Sequence, residues 1–272
     1  MRLHSIARPA ARAGLLAALA AMACLLCMAL AATSAAEMAQ KGNLRGTFNG
    51  GISPGKLPRT ELAPVTVSMG GRIATTDRSV PPKLERIVLA INSHGRLETK
   101  GLPTCSLAKL NSLASADAKR ACASSLVGHG NVTSRVSLPG QGAFALNGEL
   151  LAFNGKLNGH QAVLAQVSSG APLPLTYVIA FEVKKQNGAF ATQLIGALPP
   201  IASEYGYISS FSLALSRRYE AGGQKRSFAS ASCPAPQGFT RAPFPFAKAS
   251  YSFAGGITLG ATLNRECKVR GK

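Results

Sequence analysis

Alternation with a period of two runs through this chain and constrains its fold more than any other feature. Val65, Val67 and Met69 alternate with Thr66 and Ser68. Tyr177, Ile179, Phe181 and Val183 alternate with Val178, Ala180 and Glu182, and Phe211, Leu213 and Leu215 with Ser210, Ser212 and Ser216. Ile87, Leu89 and Ile91 share a face, and Ile257, Leu259, Ala261 and Leu263 close the chain. Successive side chains of a strand point to opposite faces, so each stripe asks for one face on a core and the other in water.

The punctuation agrees. Asn-Gly occurs at 49–50, 147–148, 154–155, 158–159 and 187–188, and Gly-Gly at 222–223 and 255–256. Such pairs tolerate the positive φ of tight hairpin turns. Asn158-Gly159 lies between the apolar runs 150–157 and 161–167, which predicts a hairpin. Gly222-Gly223 is expected to turn 207–219 onto 225–232, and Gly255-Gly256 to turn 247–253 onto 257–265. Leu-Pro recurs at 57–58, 102–103, 138–139, 173–174 and 198–199. Proline cannot donate to a ladder, so these pairs mark strand ends. One short helix is expected at 116–126, ending before Gly128. The pattern predicts an all-β fold of about eleven or twelve strands, an antiparallel β-sandwich with an open β-barrel as the alternative. Thr47–Gly50 and Ala152–Gly155 echo each other, which reads as chance similarity between hairpins, and residues 37–272 read as one domain.

The first 36 residues read as a secretory signal. Arg2, Arg8 and Arg12 form a basic start, Ala13 to Ala32 is an apolar run of 20 residues, and Thr33, Ser34, Ala35 and Ala36 are small. That order marks a cleaved leader, here cut after Ala36 with Ser34 and Ala36 as the small residues the peptidase needs. An uncleaved anchor is the rival, since 20 apolar residues can span a bilayer. A lipoprotein reading through Cys24 or Cys27 lacks a convincing lipobox. Export implies a secreted protein, associated with the cell wall or free, with no stable membrane span once the leader is cut.

Loss of the leader leaves 236 residues, with 27 basic against 11 acidic ones and a net charge of +16 instead of +19. Such an excess favours anionic partners, such as an acidic wall polymer or polysaccharide, or serves solubility alone. The basic residues are spread along the chain, which does not mark a specific nucleic-acid binder. Cys105, Cys122, Cys233 and Cys267 remain, an even number that reads as two disulfides in an oxidising compartment. Of three pairings the local one, Cys105–Cys122 with Cys233–Cys267, is favoured. One helix over 105–122 would hold its two cysteines about 25 Å apart, whereas a disulfide needs their Cα atoms within about 7 Å. Local pairing therefore delays the helix to Ser115 or Asp117 and makes 106–114 a returning loop.

Catalytic signatures fail on physical grounds. Gly51-Ile52-Ser53-Pro54-Gly55 matches a nucleophile elbow, but the residue after the serine must give a backbone N–H to the oxyanion hole, and Pro54 has none. Ser106-Leu107-Ala108-Lys109 matches S-x-x-K without its partner motifs. His94, His129 and His160 lie apart beside glycines, and oxidised cysteines leave no zinc set, so neither a metal nor a cofactor is expected. A glycosidase needs two carboxylates, and Glu85, Glu98, Glu149, Glu182 and Glu204 lie near strands. The chain has no Trp to serve as a sugar platform, which leaves only its five tyrosines.

The sharpest basic feature is one hairpin. Arg217 and Arg218 precede its Gly-Gly turn, and Lys225 and Arg226 follow it. Paired in register, these four cations crowd one hairpin end, where a bound anion would relieve their repulsion. The competing reading is a solvated tip or a guard against edge pairing.

Several segments resemble a family of uncharacterised secreted proteins of high-GC soil actinobacteria. They include Leu57-Pro58-Arg59-Thr60 with Leu62-Ala63-Pro64-Val65, Arg86 to Cys105, Cys122 with Leu126-Val127-Gly128, and Ala152-Phe153-Asn154-Gly155. Cys233-Pro234-Ala235-Pro236, Phe244-Pro245-Phe246-Ala247 and Cys267-Lys268-Val269-Arg270 complete the resemblance. It implies an exported single domain whose four cysteines are a family feature, and it implies no activity. The expected function is therefore an exported, non-enzymatic binding or structural protein at or near the cell envelope. The alternative is a secreted hydrolase of a wall or environmental polysaccharide.

Overall fold

A computed structural model describes residues 36–270, so the expected leader up to Ala35 lies outside the described residues. The strands are β1 (Glu37–Lys41), β2 (Leu44–Ser53), β3 (Lys56–Leu57), β4 (Ala63–Pro64), β5 (Thr66–Thr75) and β6 (Leu84–Ile91). Next come β7 (Gly95–Leu97), β8 (Leu126–Val136), β9 (Phe144–Leu157), β10 (His160–Ser169), β11 (Leu175–Lys185) and β12 (Thr192–Ala197). The last are β13 (Gly206–Leu215), β14 (Arg218–Ala221), β15 (Gln224–Ser227), β16 (Ala229–Ala231), β17 (Arg241–Phe253) and β18 (Ile257–Val269). Two short helices, α1 (Leu107–Asn111) and α2 (Ser115–Ala121), lie between β7 and β8.

The fold is all-β. Thirteen strands form one sheet in the order β1-β2-β5-β13-β8-β9-β10-β11-β12-β6-β17-β18-β3. The pairs are antiparallel apart from β18 with β3. This sheet curls into a half-barrel, the open-barrel arrangement. Its walls face each other over one core, as the layers of a sandwich would. β1 and β2 come round to lie against β18, and Arg265 on β18 donates from Nε to the Gly50 carbonyl on β2 at 2.6 Å.

The apolar stripes supply the inner face. Tyr177, Ile179 and Phe181 of β11 share one buried cluster with Phe48 of β2, Ile87 of β6 and Leu259 and Leu263 of β18. Val67, Met69, Leu89, Phe211 and Leu213 pack against it. Strands β9 and β10 are buried on their outer face as well. There Leu151, Phe153, Ala162 and Leu164 meet Leu110 of α1 and Ala118 of α2 in a second cluster. The covering segment is closed by the Cys105–Cys122 disulfide, whose Cα atoms are 5.7 Å apart.

The expected helix begins at Ser115 and ends at Ala121, earlier than 126, because a 3-10 turn at Ala123–Ser125 leads into β8. The returning loop also contains α1, which Ser106 caps by accepting from the Lys109 N–H at 3.3 Å. That capping contact accounts for the S-x-x-K pattern.

Three of the expected turns form. Asn158 and Gly159 take φ of 50° and 82° between β9 and β10, and Gly222 and Gly223 take 60° and 71° between β14 and β15. Gly255 and Gly256 join β17 to β18. Asn187-Gly188 falls in the loop between β11 and β12. The other Asn-Gly pairs lie inside strands. At Asn154-Gly155 the reason is a docking contact. Asn154 is 2% exposed and donates from Nδ2 to the Leu102 and Pro103 carbonyls at 3.1 and 2.9 Å. The Cys105 N–H reaches the Asn154 carbonyl at 2.9 Å. A Cβ on Gly155 would stand 3.0 Å from the Cys105 carbonyl and 2.5 Å from Leu164.

Residues 207–219 do not form one strand as expected. β13 ends at Leu215, and only β14 continues into the Gly-Gly hairpin. Prolines also occur inside β17, at 243 and 245. They are tolerated because β17 pairs there with β18 alone, and its pairing with β6 starts at Ala247.

One end of the barrel is covered by a second sheet, β4-β16-β7. The Cys233–Cys267 disulfide, with Cα atoms 5.6 Å apart, ties the chain after β16 to β18. The Cys233 N–H also donates to the Pro58 carbonyl at 2.8 Å.

Asn154→Ala leaves two carbonyls without their donor in a buried site, a loss of about 2 kcal/mol. The expected result in scanning calorimetry is a melting midpoint lower by about 6 °C. An unchanged midpoint would contradict the docking role of Asn154.

Candidate binding cavity

The inner faces of the sheet do not fill the barrel completely. A cavity of about 80 Å³ lies between Met69, Ile73, Leu84, Ile87, Leu89, Val163, Phe211 and Tyr251. A second, of about 50 Å³, lies nearer the covered end, between Val65, Val67, Ile91, Leu97, Ala229 and Phe246. Met69, Leu89, Leu194 and Leu215 line both, so the two spaces are neighbours along the barrel axis. Their walls are apolar. Arg96 borders the smaller one, and its guanidinium pairs outside with Glu98 at 3.5 Å. Val67, Met69, Leu89, Ile91, Phe211 and Leu213 point inward yet remain only half-buried, because these spaces adjoin them.

Strand register builds this lining. The odd-numbered residues of β5 and the matching set of β13 face in, as Leu213↔Met69 and Leu215↔Val67 pair across the ladder. Tyr251 of β17 reaches across the interior. A Cβ on Gly46 would come within 3.9 Å of its ring, and one on Gly71 within 3.0 Å of its hydroxyl. Gly71 of the opposite wall thus makes room for the Tyr251 hydroxyl, while Gly46 lies in ordinary contact with its ring. Tyr251 is 2% exposed, and its hydroxyl has no hydrogen-bond partner among the described residues. Burial pushes the ionisation of Tyr251 and of Tyr177 well above the ordinary phenol range.

The four cations of the basic hairpin are not brought together as expected. The register sets Lys225 opposite Glu220, Arg226 opposite Tyr219 and Arg218 opposite Ser227. Alternation therefore places Arg218 and Lys225 on one face and Arg226 on the other, while Arg217 precedes β14. The hairpin is also docked. The Tyr219 hydroxyl donates to the Glu98 and Lys100 carbonyls at 3.2 Å each, and Arg226 lies 4.0 Å from Glu98. Arg217 and Arg218 border a shallow groove of about 320 Å³ with His129 and Ser216. The Arg217 Nε is buried without a partner among the described residues.

The remaining sequence candidates are dispersed. The cysteines form the two local disulfides. Ser53 ends β2, and strand β3 follows it where an elbow needs a helix. His94 Nδ1 lies 3.2 Å from the Ser232 hydroxyl, a pair the sequence did not flag because 138 residues separate the two. Ser232 is 3% exposed, and no carboxylate bonds that ring among the described residues. Glu98, Glu149 and Glu182 are held by Arg96, Lys119 and Lys184 on separate elements. Burial would raise the Glu149 carboxyl, but the Lys119 ammonium and the Ser115 hydroxyl outweigh it and hold the group below its usual range. No group of three or more His, Cys, Asp or Glu side chains suited to a metal occurs among the described residues. No helix among them is long and apolar enough to cross a membrane.

Compared with protein families, with curated proteins and with solved structures, the chain matches none.

Because the folded-state pKa of Tyr177 and Tyr251 is raised, their contribution to stability is present below the unfolded phenol value, about pH 10, and declines above it. Absorbance at 295 nm is expected to show these two hydroxyls ionising only as near-ultraviolet dichroism is lost. Reversible ionisation of all five tyrosines near pH 10 in the folded protein would contradict their burial.

Proposed function

We propose that this is an exported, non-enzymatic binding protein that works outside the cytoplasmic membrane and holds a compact apolar molecule inside its barrel. The observation that supports this is the pair of adjoining apolar cavities, which share Met69, Leu89, Leu194 and Leu215. Empty apolar space of 80 Å³ costs about 2 kcal/mol relative to a filled core. A larger side chain at Ala165 would remove part of that cost. Engineered apolar cavities of roughly 150 Å³ stay dry and take up benzene, so the two spaces together suit a ligand of that order. Against a hydrolase stands the placement of the carboxylates, which are paired on separate outer elements while the concave interior is apolar.

Ethylbenzene at about tenfold excess over its Kd adds about 1.4 kcal/mol to stability. It is expected to raise the melting midpoint by about 4 °C and to leave Ala165→Leu unmoved. A wild-type midpoint indifferent to ethylbenzene would contradict an interior site.

The outer surface supports a second role, retention at an anionic envelope polymer. The net positive charge favours it, and a groove bordered by Arg217 and Arg218 supports it. Arg217→Gln/Arg218→Gln is expected to elute from an anionic resin at lower salt than Lys225→Gln/Arg226→Gln, although both lose two charges. Elution at the same salt would assign retention to overall charge instead.

A further inference from the structure

We infer that the interior site selects a neutral apolar molecule bearing one hydrogen-bond acceptor, such as a ketone, ester or ether oxygen, and that Tyr251 is the residue that recognises it. The inference rests on the proposed interior site and adds the chemistry of the ligand.

Three observations carry it. First, Tyr251 lines the larger cavity, and its hydroxyl has no partner among the described residues. A buried O–H without an acceptor costs free energy that a phenylalanine of the same shape would not. Packing in the core cluster explains the ring but does not explain the hydroxyl, which sits beside Gly71. Second, the hydroxyl is buried beside a side chain that lines the cavity. Both flank Gly71, since a Cβ there would lie 3.0 Å from the Tyr251 oxygen and 2.6 Å from Phe211 Cε1. Phe211 also lines the cavity and is only half-buried. For a ligand to reach the hydroxyl, the Phe211 ring must turn aside, which would join the hydroxyl to the ligand space. Third, no charged side chain reaches the wall of the larger cavity. A carboxylate or ammonium buried there would be unpaired, which the desolvation cost forbids. The phenol is kept neutral and acts as a donor, so an uncharged acceptor complements it.

Acetophenone and ethylbenzene test this as a matched pair, equal in outline and differing by a carbonyl. Their Kd values are measured by calorimetry on the wild-type chain and on Tyr251→Phe, and the folded state of the variant is checked by its melting midpoint. The midpoint is expected to hold or rise, since an unpartnered hydroxyl is removed. The preference for acetophenone over ethylbenzene is expected to fall by about tenfold in the variant, with ethylbenzene affinity unchanged. If both probes bind and the preference is the same in the two proteins, Tyr251 does not read the ligand, and the interior site stands without it. If neither probe binds the wild type, the interior site itself is overturned, and this inference with it.

Discussion

A sheet of thirteen strands with one apolar face must bury that face, and here it does so against itself. Curling brings β2 and β5 over β17 and β18, so that Tyr251 of one wall lies against Gly46 and Gly71 of the other. Every inward stripe depends on that closure. Without it Phe48, Ile87, Leu259 and Leu263 would be open to water, since each is covered by the opposite wall rather than by a separate layer. The same geometry leaves the adjoining cavities. Small strands cover one end of the barrel and do not reach its middle.

A second layer explains what the alternation does not. Strands β9 and β10 are apolar on both faces because the Cys105–Cys122 segment lies over their outer side. Strands covered on both faces lose their alternation and read as continuous apolar runs. Asn154 fixes the start of that segment, and Lys119 with Glu149 fixes α2 to β9. Gln166, fully buried, donates from Nε2 to the Leu110 and Leu113 carbonyls at 2.7 and 2.8 Å and holds the α1–α2 link. One polar side chain on each face of the sheet, Asn154 among the inward residues opposite Val163 and Gln166 on the outer face opposite Leu151, thus positions a cover that is otherwise apolar.

Much of this fold is legible in the sequence. The five stripes at 65–69, 87–91, 177–183, 211–215 and 257–263 all lie in long strands or at their start, and they build the barrel wall. The turns at 158–159, 222–223 and 255–256 form, and so do the strand ends beside Leu57, Leu138, Leu173 and Leu198. Strands of two or three residues carry too little pattern to be resolved singly, so β4 and β7 escape notice and β16 is merged with β15 into the expected run 225–232, and with them the covered end is missed. Asn-Gly is ambiguous for a physical reason. The pair fits a turn, and it equally fits a strand position where another backbone comes close, as at Gly155. The cavity is the least legible part. Its residues come from most of the long strands, and an inward leucine that touches empty space reads the same as one that is packed. Tyr251 could have been singled out only by its hydroxyl within an apolar strand face. The register of the basic hairpin was hidden by one residue, since Glu220 takes the place opposite Lys225.

An accessible apolar site in the barrel interior differs from residual slack in a core by what it takes up. Xenon binds such sites by dispersion alone and reports their position directly. In crystals of residues 37–272 pressurised with xenon, an ordered xenon atom is expected, bounded by Met69, Leu89, Leu194 and Leu215. An interior without xenon under conditions that saturate an apolar cavity of this size would contradict an accessible site.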